Sequence, residues 1–219
     1  MFQETFRLKP GITAVIGGGG KTTFLRQMGE ELSRDHSVLL YTSTKYFRFP
    51  DLPCAESLEE VDCLRKIHRL FYAGQKVPGL LKLQALDVPI AELGRRFDYI
   101  LVEADGSAQL PMKAHHAHEP VIPEGTAQTV YLIGASGFGR PISEAAHRPE
   151  RYAELAGVGL DASITPETEA AVLKAEGYGD IFLVNQAESE EAQAAATGLA
   201  ALMEKPVYAV SLKRGEVYQ

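Results

Sequence analysis

The sequence predicts an α/β protein with a three-layer, doubly wound and mostly parallel sheet. Short apolar runs alternate with helical stretches along most of the chain, which is the pattern of βαβ units. Several of these runs are continuous rather than alternating, as expected for parallel strands that are covered on both faces. The first run leads through a row of glycines directly into a helix-forming stretch.

The individual elements follow from this alternation. Strands are expected at residues 12–16, 37–41, 99–103, 129–133, 180–184 and 207–210. Helices are expected at residues 22–34, 57–72, 148–156, 166–176 and 189–204, where apolar residues recur at helical spacing. Thr165 and Pro166 are typical of a helix start, with threonine as the cap and proline in the first turn. Proline and glycine predict loops at residues 47–53, 74–89 and 110–125.

Composition limits the classes of protein that the chain can belong to. Its 219 residues, 45% hydrophobic and 23% charged, suit one α/β domain over residues 1–219, without a repeat or a linker. A net charge of −7 without a basic run makes a nucleic-acid partner unexpected. No apolar run is long enough for a membrane span, the first residues do not resemble a secretion signal, and the two cysteines suit reduced thiols. A cytoplasmic protein is therefore expected.

The segment that joins the first strand to the first helix points to chemistry. It consists of Gly17, Gly18, Gly19, Gly20, Lys21, Thr22 and Thr23. Glycines let backbone N–H groups converge on an anion, and the helix start adds partial positive charge. Lys21 supplies a full charge for terminal phosphates, and Thr22 a hydroxyl for Mg²⁺. The segment predicts a nucleoside triphosphate site in a P-loop NTPase-like fold.

The spacing of this loop differs from the common phosphate-loop pattern. That pattern has a glycine five residues before the Gly-Lys pair, where this chain has Val15 inside the strand. The shorter form is similar to the phosphate loop of Mur ligases, more than to that of GTPases or ABC-type ATPases. A glycine-rich turn that only links a strand to a helix is the alternative. It does not explain the lysine and the two threonines.

A second candidate site is a strand that ends in carboxylates. Residues 99–103 form an apolar run that ends at Glu103, and Asp105 follows two residues later. Phosphate-loop enzymes place an acid at the carboxyl end of a neighbouring strand to hold the metal. Either acid is a candidate Mg²⁺ ligand, and Thr42, after the second strand, is a third. Solvated acids at an ordinary strand end are the alternative.

These stretches together resemble the YqeC-like family, whose members are described as accessory or selenium cofactor biosynthesis proteins of selenium-dependent hydroxylases. The matching stretches are VIGGGGKTT (15–23), TSTK (42–45), GL (79–80), ILVEADGS (100–107), LPMKA (110–114), HEPVIP (118–123), HRPE (147–150) and LVN (183–185). They occur in order over nearly the whole chain. The resemblance implies a role in maturing molybdenum hydroxylases that carry a labile selenium, with such a hydroxylase or its cofactor as partner.

One departure from the family concerns the nucleotide base. Family members often have an Asn-Lys-x-Asp-like stretch where this chain has Asn185, Gln186, Ala187 and Glu188. In GTPases the carboxylate of that motif reads the guanine edge. We therefore expect Asn185 to lie at the nucleotide and ATP, with Mg²⁺, to be the cofactor.

The proline-flanked loop at residues 110–125 carries further candidates. The resemblance supports Lys113, His118 and Glu119, and a contact of Lys113 and His118 with substrate or phosphate is expected. A second metal site and purely structural hydrogen bonds stay open as alternatives. Arg148 begins a predicted helix and is a candidate for binding a phosphate or carboxylate, or for stabilising charge in a transition state. A helix-terminal salt bridge explains Arg148 equally well.

The leading hypothesis is a magnesium-dependent nucleotide-binding protein that hydrolyses ATP or activates a phosphoryl group during hydroxylase maturation. Its candidate catalytic residues are Lys21, Glu103, Asp105, Lys113, His118 and Arg148. The alternatives are a nucleotide-gated binding protein without significant turnover, a Mur-like ligase or kinase that acts on a small molecule, and an α/β domain that binds no nucleotide.

Overall fold

A computed structural model describes residues 2–44, 46–47, 49–79 and 82–218. Lys45 and Leu80, which belong to two of the motifs above, lie outside the described residues. The predicted fold class is confirmed, because helices alternate with strands whose pairing is mostly parallel.

Strands form wherever the sequence predicted them, and several short strands are additional. The strands are β1 (Gly11–Gly17), β2 (Val38–Thr42), β3 (Tyr46–Phe47), β4 (Cys54–Ala55), β5 (Leu70–Ala73), β6 (Gln75–Lys76), β7 (Lys82–Gln84), β8 (Tyr99–Glu103), β9 (Met112–Lys113), β10 (Thr126–Gly134), β11 (Ala146–His147), β12 (Ile181–Asn185), β13 (Val207–Ser211) and β14 (Glu216–Tyr218).

The helices alternate with these strands. They are α1 (Phe2–Phe6), α2 (Lys21–Leu32), α3 (Leu58–Leu64), α4 (Ile90–Gly94), α5 (Ile142–Ala145), α6 (Pro149–Ala156), α7 (Pro166–Glu176) and α8 (Glu190–Leu202), with a 3₁₀ turn at Ala135–Gly137. The predicted start of α7 is confirmed, since Thr165 and Thr168 form a capping box ahead of Pro166. Within the described part of the chain, no helix has the length and apolarity that crossing a bilayer requires.

The chain divides into two compact units, each made of several segments. Unit 1 comprises the described parts of Met1–Val15, Phe24–Gly106 and Val121–Gln128. Unit 2 comprises Ile16–Thr23, Ser107–Pro120 and the described part of Thr129–Gln219. The single domain over residues 1–219 stays a prediction from the sequence.

Unit 1 contains five parallel strands in the order β1-β8-β2-β5-β4. The register places Val15, Glu103 and Thr42 side by side, at the last residues of β8 and β2 and two residues before the end of β1. Leu39 and Phe71 are fully buried members of its apolar core, as the continuous apolar runs predict. Strands β3, β7 and β6 form a small antiparallel sheet in the same unit.

Unit 2 contains strands in the order β10-β12-β13-β14, of which the last pair is antiparallel. Its register brings Gly134, Asn185 and Val210 side by side. A separate two-stranded parallel ladder joins β9 to β11, so that Lys113 lies opposite His147. Strand β9 lies within residues 110–125, which the sequence predicted to be a loop, so that prediction is wrong at this strand.

Two sequence predictions in unit 1 are wrong. The helix expected at residues 57–72 ends with α3 at Leu64, and β5 begins at Leu70. Residues 70–73 form a short apolar run that is buried beside β2, and short runs of this kind do not distinguish a strand from a buried helix. The loop expected at residues 74–89 contains β6 and β7. The sequence analysis also missed α1, whose Phe2 and Phe6 rings stack 5.4 Å apart.

Replacing Phe71 with alanine should destabilise the protein by about 3–5 kcal/mol, because it leaves a cavity in the core. Phe71 is 0% exposed, and its ring centroid lies 5.5 Å from that of Phe97. Denaturant unfolding measures the loss of free energy of unfolding. Ile67→Ala is the control, since Ile67 is 77% exposed and its loss should change stability by less than about 0.5 kcal/mol. Equal effects of the two substitutions would contradict the described core.

Candidate functional site

The glycine loop lies in unit 2 and packs against backbone on two sides. The Gly18 N–H donates to the carbonyl oxygen of Leu132 over 2.9 Å. On the other side, a Cβ on Gly18 would lie 2.5 Å from the carbonyl oxygen of Pro111, so no side chain fits there. Pro111 also accepts a hydrogen bond from the Gly134 N–H over 2.8 Å. The segment that leads to Lys113 therefore lies directly against the loop.

The next residues of the loop present hydrogen-bond donors. The backbone N–H groups of Gly19 and Gly20 have no hydrogen-bond acceptor among the described residues, and both glycines are half-buried. Lys21 is 4% exposed, and its Nζ donates to the carbonyl oxygen of Gly17 over 2.5 Å. Helix α2 begins at Lys21 and adds the partial positive charge of its N-terminus. Two open amides, a buried ammonium group and a helix start suit an anion such as a phosphate.

Asn185, which the sequence analysis expected at the nucleotide, lies beside this loop. Its Nδ2 donates to the carbonyl oxygen of Gly19 over 2.7 Å, and its Oδ1 accepts from the Leu212 N–H over 2.9 Å. Gly20 has a φ of +124°, and a Cβ there would lie 2.5 Å from Asn185 Nδ2. The amide group therefore joins the loop to the segment after β13. A contact between Asn185 and a base stays a prediction.

The predicted metal ligands occupy both units. Thr22 and Thr23 are exposed on the first turn of α2, so the Thr22 hydroxyl is accessible. In unit 1, Glu103 is half-buried at the end of β8, and Asp105 is 1% exposed. The buried Thr42 hydroxyl donates to the carbonyl oxygen of Glu103 over 3.2 Å and accepts from the Thr44 N–H over 3.0 Å. Thr42 thus ties the ends of β2 and β8 together, and its role as a metal ligand stays a prediction.

A cluster of charges in unit 2 brings together the candidates from the long proline-flanked segment. Lys113 Nζ lies 2.6 Å from one carboxylate oxygen of Glu119, and Arg148 Nη2 lies 2.9 Å from the other. His118 Nε2 lies 3.7 Å from Glu119. The Lys113 side chain is fully buried, whereas that of His118 is 74% exposed. Glu119 is therefore the centre of the cluster. The sequence analysis named Glu119 but did not include it among the catalytic candidates.

The cluster holds Glu119 ionised and leaves one donor of Arg148 unmatched within the described residues. Burial raises the pKa of the Glu119 carboxyl, but hydrogen bonds from Lys113 and Arg148 outweigh burial and lower that pKa from 4.5 to about 2. Glu119 is thus shared by two cations, Lys113 and Arg148. The Nε atom of Arg148 is buried and has no hydrogen-bond partner among the described residues. The cluster therefore retains a donor for an anionic group.

The three histidines of this segment face different surroundings. His115 Nδ1 lies 2.9 Å from Glu176 Oε2, and both side chains are nearly fully buried. His116 and His118 are exposed, and their rings stack 6.0 Å apart. In the ranges that the structure describes, no three His, Cys, Asp or Glu side chains are grouped in a way that could hold a metal ion. His115 thus belongs to a buried acid–base pair rather than to a common ligand set with His118.

The contact between Glu188 and Ser211 was not predicted from the sequence. The Ser211 hydroxyl donates to Oε1 of Glu188, three residues after Asn185. The sequence showed Glu188 only as a departure from an Asn-Lys-x-Asp-like stretch. Ser211 lies more than twenty positions away in the chain, and no local pattern links it to Glu188.

The chain belongs to the YqeC protein family, because residues 13–150 match the family described as YqeC protein. It is 30% identical over 168 residues to the Escherichia coli (strain K12) protein named "Uncharacterized protein YqeC". The match covers 71% of this chain and 64% of that relative, so the chain spans less than two thirds of the relative's length.

Three solved structures are similar over most of this chain. Hydrogenase maturation factor HypB from Archaeoglobus fulgidus is 12% identical, with a TM-score of 0.44 over 94% of this chain and 84% of that one. Signal recognition particle receptor FtsY from Elizabethkingia anophelis is 11% identical, with 0.48 over 96% and 63%. Signal recognition particle 54 kDa protein from Aeropyrum pernix K1, in complex with GDP, is 15% identical, with 0.46 over 96% and 44%. All three TM-scores are below 0.5, so these likenesses carry no functional information.

Replacing Glu119 with glutamine should destabilise the protein by about 2 kcal/mol at neutral pH, because Lys113 and Arg148 lose a charged partner. The pKa of Glu119 falls from 4.5 to about 2 in the folded state, so its stabilisation is present above pH 4.5 and is lost as the pH falls towards 2. The difference in free energy of unfolding between parent and variant should therefore shrink over that range.

Denaturant unfolding at a series of pH values measures this difference. Glu124→Gln is the control, since Glu124 is exposed and its replacement should have little effect at any of these pH values. A loss from Glu119→Gln that stays constant down to about pH 2 would contradict the described ion pairs.

Proposed function

We propose that this protein binds a nucleoside triphosphate with Mg²⁺ at the glycine loop and hydrolyses it or uses it to activate a phosphoryl group. The observation that carries the proposal is the pair of open backbone amides at Gly19 and Gly20 beside the buried Lys21 ammonium group. Half-buried backbone donors such as those of Gly19 and Gly20 are costly to leave unmatched, and an anion completes them. A triphosphate provides several anionic oxygens for this purpose.

The residues of the loop have separate roles in this proposal. The amides of Gly19 and Gly20 donate to phosphate oxygens, while Gly18 is held by Leu132 and positions the loop. Lys21 transfers its donor from the Gly17 carbonyl to the terminal phosphates when nucleotide binds. Donors that are already aimed at the position of developing charge stabilise a phosphoryl-transfer transition state without reorganisation.

The proposed magnesium ligands follow from the sequence pattern and the chemistry of the side chains. Mg²⁺ prefers oxygen ligands and keeps several waters, so one hydroxyl and one carboxylate suffice. Thr22 provides an exposed hydroxyl, and Glu103 or Asp105 provides the carboxylate. When bound, the metal would neutralise charge on the phosphates.

The cluster around Glu119 is the proposed contact for a second substrate or a protein partner. The unmatched Nε of the Arg148 guanidinium group suits a carboxylate or phosphate group. The carbonyl of Pro111 lies against the loop, and Lys113 follows two residues later, so an anion at the cluster would lie near the phosphates. His118 and Arg148 are the most exposed members of the cluster.

The proposed biological role is in the maturation of selenium-dependent molybdenum hydroxylases, with an immature hydroxylase or its cofactor as partner. Membership of the YqeC family supports this role through the resemblance described above. In this proposal the amides of Gly19 and Gly20 and the Lys21 ammonium group contact phosphates and not the base, so they suit any nucleoside triphosphate. ATP is the expectation from sequence.

Replacing Lys21 with alanine should weaken ATP–Mg²⁺ binding by at least about tenfold, because the charge that faces the phosphates is lost. Calorimetry measures the affinity. A thermal-shift panel of ATP, GTP, CTP and ADP, with and without Mg²⁺, compares how strongly each nucleotide stabilises the protein. Lys174→Ala is the matched control, since Lys174 is an exposed lysine of α7. Undiminished binding by Lys21→Ala would refute the proposal. Turnover assays then separate an NTPase from a nucleotide-gated protein.

Replacing Glu103 with glutamine, or Asp105 with asparagine, should raise the Mg²⁺ concentration needed for nucleotide binding, because a neutral amide is a weaker ligand than a carboxylate. Magnesium titrations at fixed ATP concentration measure this requirement. Glu59→Gln, at an exposed acid of α3, is the control. If both variants titrate like the parent, neither acid is the metal ligand.

A further inference from the structure

A cavity of about 580 Å³ opens in unit 2 between the segment after β9 and helices α6 and α7. Its walls come from residues 115–117, from α6 and from the end of α7. The volume falls within the roughly 300–1,000 Å³ of small-molecule sites. Its lining includes no residue of the glycine loop, all of which the structure describes, so the proposed nucleotide site gives this cavity no role.

Two side chains of the cavity lining are almost completely buried and hold each other in place. The backbone N–H of His115 donates to one carboxylate oxygen of Glu176 over 2.5 Å, and His115 Nδ1 lies 2.9 Å from the other. The Tyr131 hydroxyl lies 3.5 Å from the same carboxylate. The side chains of His115 and Glu176 are 1% and 4% exposed. Polar groups fixed in this way give a ligand a preorganised surface, unlike mobile side chains on an open surface.

The end of α7 gives this surface a negative potential. Glu176 is the last residue of the helix, where backbone carbonyls carry partial negative charge, and its carboxylate adds to that charge. Glu169, a second acid of α7, is fully buried, and its Oε2 accepts from the Tyr152 hydroxyl over 2.5 Å. Burial raises the pKa of Glu169 to about 7, and the charge of Glu176 adds to this rise. The helix end and its carboxylate therefore favour a cation together.

The charged side chains of the lining include an acid in excess. They comprise three carboxylates, one guanidinium group and two imidazole rings. Arg151 Nη1 lies 2.7 Å from Glu154 Oε2. Glu150, in the first turn of α6, is exposed and has no ion pair among the described residues. Matching Arg151 with Glu154, and His115 with Glu176, leaves Glu150 to attract a positive group.

An aromatic ring completes a set of contacts that suits an organic cation. Tyr178 lines the cavity, and its ring centroid lies 5.6 Å from that of His115. Ammonium and guanidinium groups bind to aromatic faces and to carboxylates, and guanidinium matches a carboxylate with two parallel hydrogen bonds. A metal ion fits less well, because in the described ranges no three potential ligand side chains are grouped for one.

We propose that this cavity binds an organic cation, an alkylammonium or alkylguanidinium group that faces Glu150 and the end of α7 and packs against Tyr178. The same chemistry occurs in free amines and in the lysine or arginine side chains of a protein. The site adjoins the Glu119 cluster, since the rings of His116 and His118 stack 6.0 Å apart and His118 lies 3.7 Å from Glu119. It does not depend on nucleotide binding.

NMR titration of the full chain, without nucleotide, tests the site with n-butylguanidinium as the probe. The matched control is n-butylurea, which has nearly the same shape but no charge. The cation should bind at least about tenfold more tightly, because charge-assisted hydrogen bonds distinguish it from the urea. Equal affinities for the two compounds would overturn the inference.

A blocked Gly-Arg-Gly peptide presents the same guanidinium group on a protein-like chain and distinguishes the two sources. Binding of the free cation alone assigns a small-molecule ligand, whereas tighter binding of the peptide assigns a basic side chain. Absence of binding by both, up to about 10 mM, would overturn the inference.

Substitutions on α6 give the second readout. Glu150→Gln removes the acid in excess and should weaken binding of n-butylguanidinium by about threefold. Glu190→Gln is the matched control and should bind like the parent, since Glu190 is an exposed acid in the first turn of α8. Arg151→Gln releases Glu154 from its partner and should tighten binding by about threefold. A general loss of structure cannot produce that gain.

The outcomes separate this inference from the proposed function. Unchanged cation binding in Glu150→Gln, or the absence of a gain in Arg151→Gln, would overturn the inference alone. Because the titrations contain no nucleotide, failure of the parent to bind ATP would overturn the proposed function and leave the cation site intact. Selective cation binding, with the expected response to both substitutions, would support the site.

Discussion

The amide side chain of Asn185 holds the glycine loop and the segment after β13 together, and the proposed nucleotide site depends on that contact. Its donor and its acceptor are both used, by the Gly19 carbonyl and the Leu212 N–H. A buried amide with satisfied hydrogen bonds is rigid, and loss of one partner leaves an unmatched polar group. The approach requires glycine at position 20, where a Cβ would meet Asn185 Nδ2. Glycine at position 20 and the position of Asn185 therefore depend on each other.

Charge compensation is the second constraint on unit 2. Lys113 is fully buried, and its ammonium group is compensated by Glu119, which also binds Arg148. Arg148 has a φ of +68°, in the left-handed region that non-glycine residues rarely adopt. Such conformations persist where surrounding contacts hold them, and they concentrate at functional sites. The strained Arg148 directly precedes α6, so one helix start positions the guanidinium group at Glu119.

Predictability differed between elements for identifiable reasons. The glycine loop, β1 and α7 have local signals, namely an apolar run, a glycine row and a capping threonine, and the structure agrees with them. The region of α3 and β5 has no such signal, because the apolar run of β5 continues a helical pattern and becomes a strand only through pairing with β2. At the candidate site, Lys113, His118 and Arg148 came from the sequence. Their common partner Glu119 became evident only from the distances.

The sequence by itself determined the α/β class, the glycine loop that leads into Lys21, and the family. These depend on residues that are near neighbours in the chain, where spacing alone predicts geometry. Only the tertiary structure decided that Ser211 orients Glu188, that Asn185 joins the loop to Leu212, and that one carboxylate serves both Lys113 and Arg148. Such contacts join residues far apart in the sequence. They depend on strand order and register, which the packing of whole units determines and no local pattern encodes.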